Sequence, residues 1–136
     1  MQTKQIETAN SIDFIFAGNS HVTFKNSQTG KRFTFKVKKH KKDSIWFVSV
    51  LTSPDIYQFI GSIRKNTNYR HSVKSSIGQN TQSVRVFDYV IGKLRTKELP
   101  EVVEIWHEGR CGRCGRRLTD PDSIRLGIGP NCISMS

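Results

Sequence analysis

Acidic residues are scarce in this chain: 11 Asp and Glu stand against 22 Lys and Arg, a formal net charge of +11 with the histidines neutral. Cysteine is scarcer still, at three. An odd count, with two of the three separated by only two residues, makes a poor disulfide framework and a good metal pattern in a reducing compartment. No apolar run approaches the length of a membrane span, and the opening MQTKQIETANSID has no apolar centre. Neither a membrane helix nor a signal peptide is therefore expected, and the expected location is the cytoplasm. Internal repeats and long low-complexity segments are absent. The acids are also too scattered to hold a catalytic ion: Glu98, Glu101, Glu104 and Glu108 come closest together, at a spacing that suits solvated charge. With no Ser/His/Asp or Cys/His constellation either, the chain does not read as an enzyme.

What is present suffices for a core. The 136 residues include eight Phe, two Trp and three Tyr, which bounds the chain to one domain or a domain plus a small module. Residues 1–11 are polar and aperiodic and read as a flexible arm. Beyond them, Val22 and Phe24 alternate with polar neighbours, Asn26 to Gly30 supplies a turn, and Phe33, Phe35 and Val37 alternate with Arg32, Thr34, Lys36 and Lys38. That period of two puts apolar side chains on one face and a basic row on the other. Ile45 to Leu51 is apolar at nearly every position and predicts a strand buried on both faces. Ser53-Pro54-Asp55 breaks it before a fourth strand at 57–64. Short connections between strands at about 21–26, 31–38, 44–51 and 57–64 predict an antiparallel meander. Val84, Phe87, Val90, Ile91 and Leu94 then recur at helical spacing, after Thr81 as a cap and before Pro100. Val102 to Trp106 reads as a last short strand. The expected fold is α+β: a four-stranded antiparallel meander with one packed helix over 12–100, then a small zinc-knuckle module over 101–136.

The knuckle rests on Cys111-Gly112-Arg113-Cys114-Gly115, where two intervening residues let both thiolates reach one ion from a tight turn. Cys132 supplies a third thiolate. For the fourth tetrahedral position His107 ranks first, because the three residues before Cys111 form a loop short enough to fold back. His71, Asp120, Asp122, His21 and His40 remain rivals, the aspartates lower because structural zinc prefers nitrogen and sulfur. Asp120-Pro121 resembles the start of a helical turn closed by Gly127. A segment of this size has almost no core of its own, and one structural Zn²⁺ can contribute on the order of 10 kcal/mol to its folding. Four protein ligands leave no open position for substrate, so the expected metal is structural.

CGRCGRRLTDPDSIRLGIGPNC, preceded by WHEGR, resembles the C-terminal module of a family of small phage and prophage proteins with the pattern CGRCGR-x-LT-x-P-x-SI, GIGP and a final cysteine. A histidine commonly precedes the first cysteine in that family, as His107 does here. KRFTFKVKKHKKDSIWFVSVLTSPDIYQFIGSI is similar to its N-terminal part, so the resemblance spans 30–134. It implies a phage or prophage origin, the host cytoplasm, and a metal-bound fold. The family has no assigned activity, so it implies no reaction.

Two basic clusters remain. Arg32, Lys36, Lys38, Lys39, Lys41 and Lys42, preceded by Lys31, form an acid-free run, and Arg110, Arg113, Arg116 and Arg117 surround the cysteine turn. Three thiolates on Zn²⁺ leave about −1, which one arginine offsets; four exceed that need. The expected role is therefore DNA or RNA binding, mainly through phosphates, with Arg113 or Trp46 stacking or inserting. The alternative is a protein–protein module or inhibitor that docks on an acidic host protein surface. For the lysine run alone, a solvated strand edge explains the charge equally well.

Overall fold

A computed structural model of the chain describes residues 4–118, 124, 127 and 128. Among these, the elements run β1 (Lys4–Ile6), α1 (Thr8–Ile15), β2 (Asn19–Asn26), β3 (Arg32–Lys39), β4 (Ile45–Ser53), β5 (Ile56–Arg64), β6 (Tyr69–His71), α2 (Gln82–Thr96) and β7 (Val103–His107). The strands join in one antiparallel sheet of order β1-β7-β2-β3-β4-β5-β6.

The expected four-stranded meander with one helix is thus corrected: among the described residues there are seven strands and two helices, and none of these residues forms a separate zinc module. The flexible arm is corrected too. Gln5 and Ile6 pair with Trp106 and Ile105, and Ile6 is buried. Residues 8–15 form a helix whose Ser11, Phe14 and Ile15 are buried. One turn of apolar spacing is too little for a periodicity argument, and a three-residue strand becomes visible only with its partner. Because β7 is antiparallel to both β1 and β2, those two strands are parallel, joined by α1 and split by the insertion of β7, a split β-α-β arrangement.

Local chemistry explains the boundaries. In the β2–β3 turn the Asn26 carboxamide oxygen accepts the N–H groups of Gln28 and Thr29 at 2.9 and 3.1 Å, and Gly30 takes φ 75°. Helix α2 ends where Lys97 turns left-handed at φ 59° and the Glu98 N–H reaches back to the Lys93 carbonyl at 2.9 Å. Thr81 does occupy the N-cap position, without a side-chain capping bond.

Both helices pack on one face of the sheet. Phe87 of α2 meets Phe24, Phe35 and Tyr69 at ring-centroid distances of 5.8, 4.8 and 5.3 Å. Val22, Val37, Val48, Val50, Ile63 and Ile105 complete that face from the strands. Gly61 of β5 has no room for a side chain, since an added Cβ would lie 2.6 Å from the Tyr69 ring. Tyr69 in turn donates its hydroxyl to the Ile60 carbonyl at 2.9 Å. Phe87→Ala should destabilise the protein by about 3–5 kcal/mol, read as a lower urea midpoint with little change in the slope of the transition.

Candidate nucleic-acid interface and cysteine turn

Among the described residues, the opposite face of the sheet carries no helix. Its residues follow from the register: Lys36 lies beside His21 and Ser49, Lys38 beside Phe47, Phe47 beside Ser62, and Ser62 beside Arg70. Lys25 lies between Arg32 and Glu104, and Thr23 between Thr34 and Trp106. Period-two alternation puts all of these on the side away from Phe24, Phe35 and Val37. Arg32, Lys38, Arg64 and Arg70 are exposed and Lys25 and Lys36 half-buried, and none of the six forms an ion pair with a described residue.

Rings are interleaved with these cations. Phe47 and Phe59 are each 38 % exposed and meet edge to face at 6.2 Å. The strand 45–51 was expected to be apolar on both faces because it is buried on both; instead Val48 and Val50 enter the core while Phe47 faces solvent. Trp106 borders a hollow of about 220 Å³ that Thr23, Lys25, Arg32 and Glu108 also line, and its indole N–H donates to Glu104 Oε1 at 3.2 Å.

The β4–β5 hairpin outruns its neighbour. Pairing with β3 stops at Phe35 and Val50, and the β4–β5 ladder shifts register at Val48/Ser49 and at Leu51/Ser53. Near the tip, the Tyr57 ring meets the His21 ring of β2 at 5.6 Å. Strands β3 and β4 lie between them, a flat separation of about 14 Å that two such side chains cannot span. The tip therefore curls over the open face, as bulged, strongly twisted hairpins do.

Charge accumulates there. Burial first, then the positive charges of Lys36 and Arg110, push the His21 pKa down to about 4. Burial also raises Tyr57, with Glu108 adding to it and Arg110 opposing. Arg110 thus leans toward the open face from the cysteine turn, while its guanidinium donates to the Gly115 carbonyl at 3.2 Å.

Of the cations expected to bind phosphate, the structure gathers Arg32, Lys36, Lys38 and Arg110 around this face. Lys41 and Lys42 are exposed in the β3–β4 turn, where His40 Nδ1 accepts the N–H of Lys42 at 3.2 Å. Lys39 lies apart, 5.9 Å above the Trp46 ring with its ammonium on the His40 carbonyl. Trp46 is no inserting residue: it packs edge-on against Phe16 at 5.3 Å and donates its indole N–H to the Phe16 carbonyl. Arg113 is half-buried with its backbone against Gly18, and Arg116 and Arg117 are exposed. Sequence reasoning missed Lys25, Arg64, Arg70, Phe47, Phe59 and Trp106, all of which join the face only through strand register.

The cysteine turn is docked onto α1. An added Cβ on Gly112 or Gly127 would lie 2.8 or 2.7 Å from the Phe14 ring, so only glycine allows this approach. The Gly112 carbonyl accepts the Asn19 N–H and the Gly112 N–H donates to Gly127, both at 2.7 Å. Cys111 is buried and Cys114 exposed, and neither is in a disulfide. The Cys111 N–H donates to Arg116 at 2.7 Å, Gly115 takes φ 78°, and the Arg113 N–H points at Cys111 Sγ at 3.4 Å. A backbone donor aimed at the Cys111 sulfur, with Cys114 on the same tight turn, is an arrangement that a metal-bound pair of thiolates would use. His107 lies on the core face, fully buried, with Nδ1 accepting the Gly109 N–H at 2.9 Å and Nε2 meeting the Ile124 carbonyl. Those partners place the proton on Nε2, and ligation through either nitrogen would displace one of them. Among the described residues no three His, Cys, Asp or Glu side chains gather as a metal cluster. Cys132, Asp120 and Asp122, and most of the helical turn expected after Asp120, lie outside the described residues. His71 bonds the Tyr69 hydroxyl at 2.8 Å and His40 caps its own turn, while His21 faces Tyr57.

Fold and site together define an antiparallel sheet protein with two helices on one face and an open basic, aromatic face among the described residues. Residues 106–134 match a family of unknown function (DUF6011), which covers about a fifth of the chain. No curated protein and no solved structure matches it. No helix among the described residues is long and apolar enough to cross a membrane.

A histidine pKa depressed in the folded state means that the unfolded chain binds the proton more readily. His21 therefore contributes stability above its unfolded value of 6.5, and that contribution is lost as pH falls toward about 4. NMR titration should place the His21 transition near the lower value, Lys36→Gln should raise it, and His21→Gln should flatten the fall in stability across that window.

Proposed function

We propose that this chain is a non-catalytic accessory protein of phage or prophage type that binds nucleic acid mainly through phosphate contacts on its open sheet face. The observation that carries this reading is the row of cations there without ion-pair partners among the described residues. Lys36 and Lys38 on β3 face Arg64 on β5 and Arg70 on β6 across β4, spaced by the sheet itself, and Arg110 adds to them from the cysteine turn. A face built only for solubility would gain more from mixed signs. Desolvating such cations against phosphate releases condensed counterions, a favourable term that is independent of sequence.

The same reading gives the cysteine turn one structural Zn²⁺, held by Cys111, Cys114 and Cys132 with His107 as the fourth ligand, which braces the segment after β7. Ligation by His107 would replace one of its hydrogen bonds, from the Gly109 N–H or to the Ile124 carbonyl. The ion would supply folding energy and no reaction.

Binding to a labelled oligonucleotide, followed by anisotropy across a salt series, should give a steep fall of log K with log salt. Replacing Lys36, Lys38, Arg64 and Arg70 together by Gln should flatten that slope by roughly 3. Absence of binding at low salt, or a host protein that stays bound after nuclease digestion, would transfer the reading to an acidic protein surface. For the metal, elemental analysis of protein purified without added zinc should find one zinc per chain, lost in Cys111→Ser; a metal-free, folded protein would remove this part of the proposal.

A further inference from the structure

The charge on the open face explains attraction to a polyanion, but not its rings. Phe47 and Phe59 project from the middle of the face, each more than a third exposed, between Lys36 and Lys38 on one side and Arg64 and Arg70 on the other. Exposing two phenylalanines side by side costs solvation that the core could have recovered, and a phosphate has no use for them. Trp106 borders its own hollow some strands away, with Lys25 and Arg32 at the rim.

Duplex DNA cannot use this surface well. Its base faces are stacked inside, and its major groove, about 12 Å wide, admits a helix or a two-stranded ribbon but not the broad face of a sheet. Along the row Lys38, Phe47, Ser62 and Arg70 the face crosses three strand spacings, about 14 Å, which suits a short stretch of extended chain. The curled tip of the β4–β5 hairpin, anchored by Tyr57 on His21, covers a neighbouring part of this surface.

We infer that the open face is a platform for single-stranded nucleic acid, with bases stacking on Phe47, Phe59 and Trp106 and phosphates on the flanking Lys36, Lys38 and Arg70. The inference rests on the nucleic-acid reading above and names the form of its partner: an unpaired strand, taken without regard to sugar or sequence. Exposed rings accept any base because every base has a π-face, and the cations follow the backbone between them.

The test compares anisotropy of the full chain on an oligo-dT and an oligo-U of about 15 nucleotides with a blunt duplex of equal length, at one salt concentration. The single strands should bind at least about tenfold more tightly than the duplex, and alike to each other. Phe47→Leu with Phe59→Leu, which keeps the apolar bulk and removes the rings, should cost about tenfold or more on single strands and leave the duplex affinity unchanged; Phe47→Tyr with Phe59→Tyr should restore it. Circular dichroism and the thermal midpoint report whether each variant is folded. Equal affinity for duplex and single strand, or an undiminished Leu variant, overturns the platform while leaving the phosphate reading in place. Binding to neither form overturns both.

Discussion

Phe87 is the contact on which the architecture turns. Rings from β2, β3 and β6 close on it, so one side chain of α2 gathers strands from opposite halves of the sheet. Aromatic contacts of this kind add to the area they bury, and they fix the helix against the sheet at one point. Among the described residues the helix layer consists of α1, eight residues, and α2, fifteen. That length covers one face of a seven-stranded sheet and cannot cover two. The character of the other face is set by whatever the alternate positions of each strand carry.

Those alternate positions carry cations and rings in a pattern that bulk solubility does not require. The excess positive charge of the whole chain creates a field that draws polyanions from a distance, and the field is strongest where cations lack partners. On the open face the partners are few: Glu104 is held by the Trp106 indole, and Glu108 lies near Tyr57. The proposed binding role grows from this local imbalance, since the same net charge spread evenly would attract without positioning.

The cysteine turn contributes in a different way. Gly112 and Gly127 bring it against Phe14, and Asn19 ties it to the start of β2, so the segment after β7 is a buttress of α1 more than an appendage. His107 is the hinge between the two regions: it ends β7, lies on the core face beside Val22, and accepts the backbone of the turn through Gly109. Whatever holds Cys111 in its buried place also holds Arg110 near His21 and Lys36. The position of that arginine on the open face is thereby coupled to the packing of the turn.

Period-two alternation in 32–38 and helical spacing in 84–94 were legible from residues alone, because each lies within one continuous segment and reports its own burial. The basic row on β3 was legible for the same reason. The strands at 4–6 and 69–71 were not, since three residues carry no period and exist only through hydrogen bonds to partners far along the chain. Phe47 was read as core because its neighbours are apolar, and a linear pattern does not say which faces of a sheet are covered. Nor could spacing reveal that Arg70 would lie in line with Lys38, because that alignment passes through two intervening strands. Local periodicity is written in the chain order; which periodic faces meet, and which one is left open to water, is settled by long-range pairing and by how much helix there is to lay over the sheet.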